Sequence, residues 1–192
     1  MLLASNSPRR HELLLEAGFE FETWAPEVAE SFDAHLTLRE LTALNATRKG
    51  LAAARAHPKK IVLAADTLVT IDGQALGKPN DAGEAVAMLE RLSGRAHEVC
   101  TSVFICHLAR ARSTSFSEIS RVCFLRLARN EIERYLAKVD PLDKAGAYAA
   151  QGFGSEIIDN IDGSFTNVVG LPMEKTVPAL AEFGIRPDPK TV

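Results

Sequence analysis

The chain has 192 residues, of which 46% are hydrophobic and 24% charged, and its formal net charge is −3. This balance is typical of a soluble globular protein and predicts one domain over residues 1–192. A negative net charge gives no general basic field. Duplex nucleic acid is therefore excluded as the main partner, and an anionic ligand must be held by local cations. No apolar stretch approaches the length of a membrane span, and the first ten residues lack the pattern of a secretory signal.

The first segment combines a short strand with a helix start. Residues 2–4 are apolar and predict a buried strand, and Ser7 before Pro8 is a helix-start signal. Arg9 and Arg10 fall in the first helical turn, where the helix dipole disfavours cations unless an anion is bound. This hydroxyl-rich segment is therefore a candidate phosphate site, with a solvated pair of arginines as the alternative.

A long helix and a buried strand follow. Residues 19–29 fit either a strand or an extended loop, and residues 37–56 show the helical spacing of Leu38, Leu41 and Leu44. Lys49 lies within this helix, where a lysine is usually solvated, so the pattern alone gives it no role.

The apolar run Ile61 to Ala65 predicts a strand that ends at Asp66 and Thr67. In open α/β sheets the functional crevice lies beyond the carboxyl ends of strands, so both residues are expected to face a pocket. Lys78 lies on a predicted turn further along. A carboxylate that binds metal or orients water, together with a lysine, suits phosphate chemistry. The alternative is that Asp66 forms a turn or caps a helix.

The remaining elements alternate between strands and helices. Asp81 with Glu84 predicts a helix start, and Asn130 is expected to cap a later helix. In chain order we first predict a helix from Asp81 to Ser93 and an antiparallel strand pair over residues 99–108 and 119–127, joined by a long polar connection. A helix from Asn130 towards Asp140 follows. The last two predicted elements are a loop-rich binding wall over residues 142–172, with a strand-like part at 156–161, and a helix over residues 172–183.

Three cysteines, Cys100, Cys106 and Cys123, are odd in number, form no CxxC pair and lie in apolar surroundings. We expect reduced core thiols in a cytoplasmic protein, with a reactive thiol as the alternative.

Several familiar motifs are incomplete or missing. The sequence GQALGK at residues 73–78 has the wrong spacing for a P-loop and is followed by Pro79. The glycines at 152 and 154 begin a dinucleotide fingerprint without completing it. The five histidines form no zinc-binding pattern, and no serine-hydrolase elbow is present.

Six short motifs occur in a distinctive order: SNSPRR, AADT, GKP, SGRAHEV, DKAGAYAAQG and GSFTNVVGLP. Together they resemble the Maf family of nucleotide pyrophosphatases, over a span from Leu3 to about Leu180. The resemblance implies an α/β fold, similar to that of ITP pyrophosphatases, with an elongated mixed central sheet flanked by helices and two lobes around a deep cleft. It also implies a homodimer that hydrolyses nucleoside triphosphates to the monophosphate and pyrophosphate with a divalent metal, Mg²⁺ or Mn²⁺. The implied role is clearance of unwanted nucleotides, with a link to cell-division arrest.

The resemblance further assigns roles to individual residues. Asp66 matches the proposed general base, and Glu30 falls near the acid that helps it to hold the metal. Substrate contacts fall on five further positions: Ser7, Arg9, Arg10, Lys49 and Lys78. At position 50 a glycine replaces the alanine that usually follows the lysine, which bears on local helix packing.

Three positions resemble the branch of the family that acts on dTTP and UTP. These are Arg9, Thr67 and Gln151, where the branch acting on 7-methyl-GTP has Trp, Gln and Glu. Two rival functions stay open from the sequence. One is a nucleotide-binding division regulator with little turnover, and the other is a pyrophosphatase for deaminated purine nucleotides such as ITP.

Overall fold

The computed structural model describes residues 1–31, 33 and 35–188, so residues 189–192 of the predicted domain lie outside the described part. The strands are β1 (Leu2–Leu3), β2 (Glu22–Thr23), β3 (Val62–Ile71), β4 (Gln74–Leu76), β5 (Ala96–His107), β6 (Arg112–Phe124) and β7 (Ile158–Asp162). The α-helices are α1 (Pro8–Glu16), α2 (Leu38–Ala56), α3 (Ala82–Leu92), α4 (Arg129–Leu136), α5 (Phe165–Val169) and α6 (Met173–Glu182). Short 3₁₀ helices occur at Leu108–Arg110, Ala145–Ala147 and Gly152–Glu156.

The described strands form one mixed sheet in the order β2-β1-β3-β5-β6-β7, and β4 pairs with the end of β3. Strand β1 is parallel to β2 and β3, whereas β3, β5, β6 and β7 pair antiparallel in succession. The helices flank this sheet, which confirms the predicted mixed α/β fold.

One edge of β3 is interrupted in its middle. Strand β1 pairs with Val62 and Leu63, and β4 pairs only from Val69 onward. Between these two ladders, residues 65–68 have β5 on one side and no strand among the described residues on the other. A cleft can open here because the chain leaves the sheet at the end of β1 and returns to it only at β4.

Buried apolar clusters lie on both sides of this gap. One cluster joins α1 and α6 to the first half of β3 through residues such as Leu14, Leu63 and Leu180. The other joins α3 and α4 to the last part of β3 through residues such as Ile71 and Leu89. A third cluster lies under α2, around Ala64 and Phe104. The predicted cleft therefore opens between the first two clusters, which share the central strands.

The predicted end of β3 is wrong. Strand β3 continues through Asp66 to Ile71, because its second half again carries apolar residues and pairs with β5 as far as Thr70, with Asp66 opposite Ser102. Asp66 is therefore neither at a strand end nor a turn former or helix cap. A polar residue on a buried strand marked the pocket, although not for the reason that the sequence suggested.

The predicted connection between the next two strands is also wrong. Strands β5 and β6 form a long hairpin, and the connection is limited to Leu108–Arg110 and Ala111, whose φ of 48° closes the turn. The polar residues 112–118 belong to β6, where partial exposure tolerates serines and threonines.

Two predicted helix caps need correction. Ser7 occupies the position before α1 but makes no capping bond with its side chain. Asn130 lies inside α4, which begins after Ala128. In contrast, Asp81 accepts a hydrogen bond from the Glu84 N–H at 2.8 Å, as predicted.

The predicted leucine face of α2 is wrong in part. Leu41 is buried, but Leu44 is 39% exposed. The face that packs on the sheet is instead built from small and polar residues: Thr42, Asn45, Ala46, Gly50 and Ala53. These side chains let the helix approach β3 and β5 closely, and they bring polar groups to the strand that carries Asp66.

All three cysteines are free, and Cys100 and Cys106 are buried. Burial raises the pKa of Cys106 to about 11 and also raises the pKa of Cys100, so both thiols stay protonated near neutral pH. None of the described helices is long and apolar enough to cross a membrane.

Candidate active site

A pocket of about 380 Å³ opens at the interrupted edge of β3. Its walls come from five parts of the chain: residues 4–10, 66–69, 77–78, 143–150 and 168–170. Residues 25–26, Glu30, Lys49 and Val99 complete the lining. The pocket thus gathers segments that are distant in sequence, including the C-terminal segment predicted as a binding wall.

The floor of the pocket carries a lysine between two acids. Lys49 Nζ donates to Asp66 Oδ1 and to Glu30 Oε1, each at 2.6 Å. The Asp66 side chain is only 5% exposed, and that of Lys49 16%. Lys49 is therefore not the solvated helix lysine that its position suggested. The carboxylates predicted as metal ligands converge on one cation.

Asn45 completes this arrangement and was missed by the sequence analysis. Its Nδ2 donates to Asp66 Oδ2 at 3.2 Å, so both oxygens of that carboxylate accept a hydrogen bond from α2. The same side chain also holds the Ser31 backbone, accepting from its N–H at 2.8 Å and donating to its carbonyl at 3.2 Å. The four-residue spacing of Asn45 and Lys49 on one helix face was the signal that could have identified it.

Charges in the pocket control the protonation of Glu30. Burial acts to raise the pKa of this carboxyl, but the hydrogen bond and charge of Lys49 outweigh it, with smaller contributions from Lys78 and Arg10. The pKa of Glu30 is therefore lowered, and the group is a carboxylate at neutral pH.

Arg10 is a buried part of the pocket wall. It donates from Nε to the Gly170 carbonyl at 2.8 Å, and its terminal nitrogens donate to Ser5 Oγ at 3.1 Å and Thr67 Oγ1 at 3.0 Å. Burial lowers its pKa, whereas the charge of Asp66 opposes this shift. The alternative of solvated arginines is therefore wrong for Arg10, whose orientation is fixed by three acceptors.

Arg9 lies at the rim and bonds to a segment that sequence analysis did not single out residue by residue. Its guanidinium donates to Asp143 Oδ2 at 3.2 Å and to the Asp143 carbonyl at 3.4 Å. Lys144 also donates to the Asp143 carboxylate and, at 2.6 Å, to the Asp140 carbonyl. Asp143 therefore joins two cations at the mouth of the pocket.

The other predicted site residues divide into two groups. Ser7, Thr67 and the exposed Lys78 line the same pocket as Asp66. Gln151 precedes the 3₁₀ helix at Gly152–Glu156 and is not among the described residues that line the pocket, although Ala149 and Ala150 are. The expectation that Gln151 lies together with Arg9 and Thr67 around the ligand thus gains no support from the geometry.

The donor chemistry of the pocket accommodates a divalent cation. Magnesium binds commonly through one or two carboxylates plus phosphate oxygens and water, and Asp66 and Glu30 provide two carboxylates around one point. Among the described residues, no group of three or more His, Cys, Asp or Glu side chains forms a metal-binding cluster.

The fold and the pocket together define the class of protein. It is a mixed α/β protein with a cation-lined cleft where one edge of the central strand β3 is unpaired in the described part of the chain. The profile of the family described as Maf-like protein matches residues 1–183, and the chain belongs to this family. The resemblance seen in the six motifs is thereby confirmed.

Curated relatives match the chain over nearly its whole length. A dTTP/UTP pyrophosphatase of Bacillus pumilus is 44% identical over 187 residues, which cover 97% of this chain and 98% of the relative. Proteins of the same name from Bacillus cytotoxicus and Bacillus velezensis are 43% and 42% identical, and they cover 95% and 97% of this chain and 94% and 97% of their own lengths.

Proposed function

We propose that this protein hydrolyses dTTP and UTP to the nucleoside monophosphate and pyrophosphate. The observation that carries the proposal is the acid–lysine–acid arrangement of Asp66, Lys49 and Glu30 in a pocket with four further cations. The names of relatives that are 42–44% identical support the choice of substrate.

Asp66 is proposed to orient the attacking water and accept its proton. A carboxylate held by Lys49 and Asn45 has a fixed direction, which a general base requires. Attack at the α-phosphorus breaks the bond to the bridging oxygen, and pyrophosphate leaves with the electron pair of that bond.

The cations are proposed to hold the triphosphate. Lys78 is exposed at the pocket and free to follow a phosphate, whereas Arg10 presents a charge of fixed orientation. Such preorganised charges stabilise the developing negative charge more than water does, because they need no reorganisation during the reaction.

Asp66 and Glu30 are the residues proposed to hold a divalent metal, Mg²⁺ or Mn²⁺. When bound, the metal supplies positive charge to the phosphate oxygens. Both carboxylates accept a hydrogen bond from Lys49 Nζ and therefore lie close to each other, as two protein ligands of one ion must.

The direct test is release of pyrophosphate from UTP, dTTP and ITP with Mg²⁺, with Mn²⁺ and with EDTA. We expect metal-dependent turnover of UTP and dTTP well above that of ITP. Preferred turnover of ITP would favour the purine rival, and binding of UTP without turnover would favour the division regulator.

Two further expectations stand beside this proposal. The homodimer is checked by sedimentation of the purified chain, and the cytoplasmic location by fractionation of cells that express it. Both are predictions from the family resemblance and the composition.

A further inference from the structure

One wall of the pocket has a conformation that the chain does not favour by itself. In the segment of residues 145–150, Gly146 and Ala147 have φ values of 70° and 63°. Left-handed backbone is unfavourable for alanine, and a side chain at Gly146 would lie 3.2 Å from Val69 Cγ2. This segment, the 145–150 wall, therefore keeps its shape only because tertiary contacts hold it.

Described hydrogen bonds tie the wall to Gly77, Tyr135 and His97, and Ala147 and Tyr148 also pack in the buried apolar cluster around Leu89. The Gly146 N–H donates to the Gly77 carbonyl at 3.0 Å. The Tyr135 hydroxyl accepts from the Ala149 N–H at 3.0 Å and also lies 3.4 Å from the Ala149 carbonyl. The third contact joins the Tyr148 hydroxyl to His97 Nε2 at 2.8 Å, and it ties the wall to the interior of the sheet.

His97 has no role in the chemistry proposed above, yet it is a polar side chain in a buried position, where an unpaired polar atom lowers the free energy of unfolding. It is 3% exposed, and its Nδ1 has no hydrogen-bond partner among the described residues. Its ring lies edge-to-face with Phe124 and Tyr148, at centroid distances of 4.9 and 5.4 Å. An apolar ring would fill this space without burying an unpaired nitrogen. The bond to Tyr148 is what distinguishes histidine from phenylalanine here.

The wall contributes mainly apolar surface to the pocket. Ala145, Tyr148, Ala149 and Ala150 line it, whereas Lys49, Arg10 and Lys78 come from other segments. Apolar surface suits a base or sugar better than a triphosphate, because phosphates lose hydration without gaining a partner there.

We propose that His97 and Tyr148 are positioning residues which hold the 145–150 wall against the nucleoside half of the substrate. They act through the wall and do not touch the reacting atoms. The identity of the ligand rests on the proposed function, whereas the anchoring of the wall does not.

The test compares Tyr148→Phe, His97→Phe and the double variant with wild type. Loss of one hydrogen bond should raise KM for UTP about 3- to 10-fold, with kcat within about 3-fold. Inhibition by inorganic tripolyphosphate, which fills only the cationic part of the pocket, should be unchanged. Because both residues act through one bond, the double variant should raise KM no more than the larger single effect.

The matched control is His107→Phe, since His107 lies at the other end of β5 and its Nδ1 also has no hydrogen-bond partner in the described part of the chain. It should leave KM unchanged. Equal losses for UTP and tripolyphosphate, additive effects in the double variant, or a lowered Tm with unchanged KM would each overturn the proposal.

Hydrogen exchange separates this proposal from the proposed function. Amides of residues 145–150 should exchange faster in Tyr148→Phe than in wild type, whether or not UTP is hydrolysed. Unchanged exchange in the wall would overturn the anchor alone, and absence of pyrophosphate release in wild type would overturn only the assigned activity.

Discussion

The ammonium of Lys49 lies 2.6 Å from Asp66 Oδ1, and it reaches this carboxylate from helix α2, across the face of the sheet. The pair makes a buried carboxylate tolerable, because a charge that leaves water needs a close partner. It also fixes the orientation of the Asp66 side chain, which lies on the stretch of β3 that borders the cleft.

Asp66→Asn should abolish most turnover while the protein stays folded. The amide keeps the size of the side chain, but only its oxygen can accept a hydrogen bond, and it cannot take a proton from water. Loss of a general base costs about 100- to 10,000-fold in rate. The measurement is kcat for UTP alongside thermal unfolding. Asp72→Asn is the control, because Asp72 pairs with Arg95 away from the pocket. Near-normal turnover in Asp66→Asn would reduce Asp66 to a structural residue.

Replacement of Arg9 or Arg10 by Ala should weaken binding of UTP far more than binding of uridine, since both act through charge on the triphosphate. Arg10→Ala should also lower Tm, because the Gly170 carbonyl and the Thr67 hydroxyl each lose a hydrogen bond from the guanidinium. Calorimetric titration with both ligands checks this, with Arg55→Ala, an exposed arginine of α2, as the control. Equal loss for the two ligands would contradict a phosphate role.

Substrate preference should shift when the three branch-matching positions are changed. Thr67→Gln is expected to reduce the preference for UTP over 7-methyl-GTP strongly, because the Thr67 hydroxyl accepts a hydrogen bond from Arg10. Gln151→Glu alone should change this preference least, since Gln151 does not line the described pocket. Adding Arg9→Trp offers a stacking surface for a cationic purine. The readout is kcat/KM for UTP, dTTP and 7-methyl-GTP. An unchanged ratio in the combined variant would show that these positions do not set specificity.

Acid should destabilise the protein through His97. Burial lowers the pKa of His97 to about 4 from its ordinary 6.5, so the unfolded chain takes up a proton that the folded chain resists. The contribution of His97 to the free energy of unfolding is fully present above pH 6.5, and about 3 kcal/mol of it is lost as pH falls towards 4. Urea unfolding of wild type and His97→Phe at several pH values isolates this contribution, because other groups cancel in the difference. A difference that does not vary with pH would contradict it.

Gly50→Ala should destabilise the fold although alanine favours helices. A Cβ at Gly50 would lie 2.4 Å from Phe104 Cδ1, so helix and sheet would have to separate. Overpacking of this kind costs about 1–3 kcal/mol, against a helix gain of about 1 kcal/mol. Chemical unfolding of Gly50→Ala with and without Phe104→Leu tests the contact. The glycine substitution should be better tolerated with leucine at 104, and an equal cost in both backgrounds would exclude Phe104 as the cause.

Much of the local structure follows from the sequence because its determinants are local. The apolar runs around Leu63 and Val103, the helical spacing after Asp81 and the closing helix over Met173–Glu182 were all predictable. The six short motifs also identified the family, because their residue types, order and separations along the chain are enough to recognise it.

The assembly of the site depends on tertiary structure. Lys49 looked like an ordinary helix lysine, and Asn45 carried no signal that was used, because a helix pattern does not show which face meets which strand. The end of β3 was misjudged for the same reason. A polar residue such as Asp66 can continue a strand when a neighbouring helix supplies its hydrogen bonds, as Asn45 and Lys49 do.

The sequence by itself thus determined the class of fold and the family, because these depend on residue type and order along the chain. It also named eight residues that line the pocket. Only the tertiary structure decided that Arg10 is buried on Gly170, that Asp143 holds Arg9, and that Gln151 stays out of the described pocket lining. Such pairings join residues more than 100 positions apart, and they are fixed by how the two cores pack around β3.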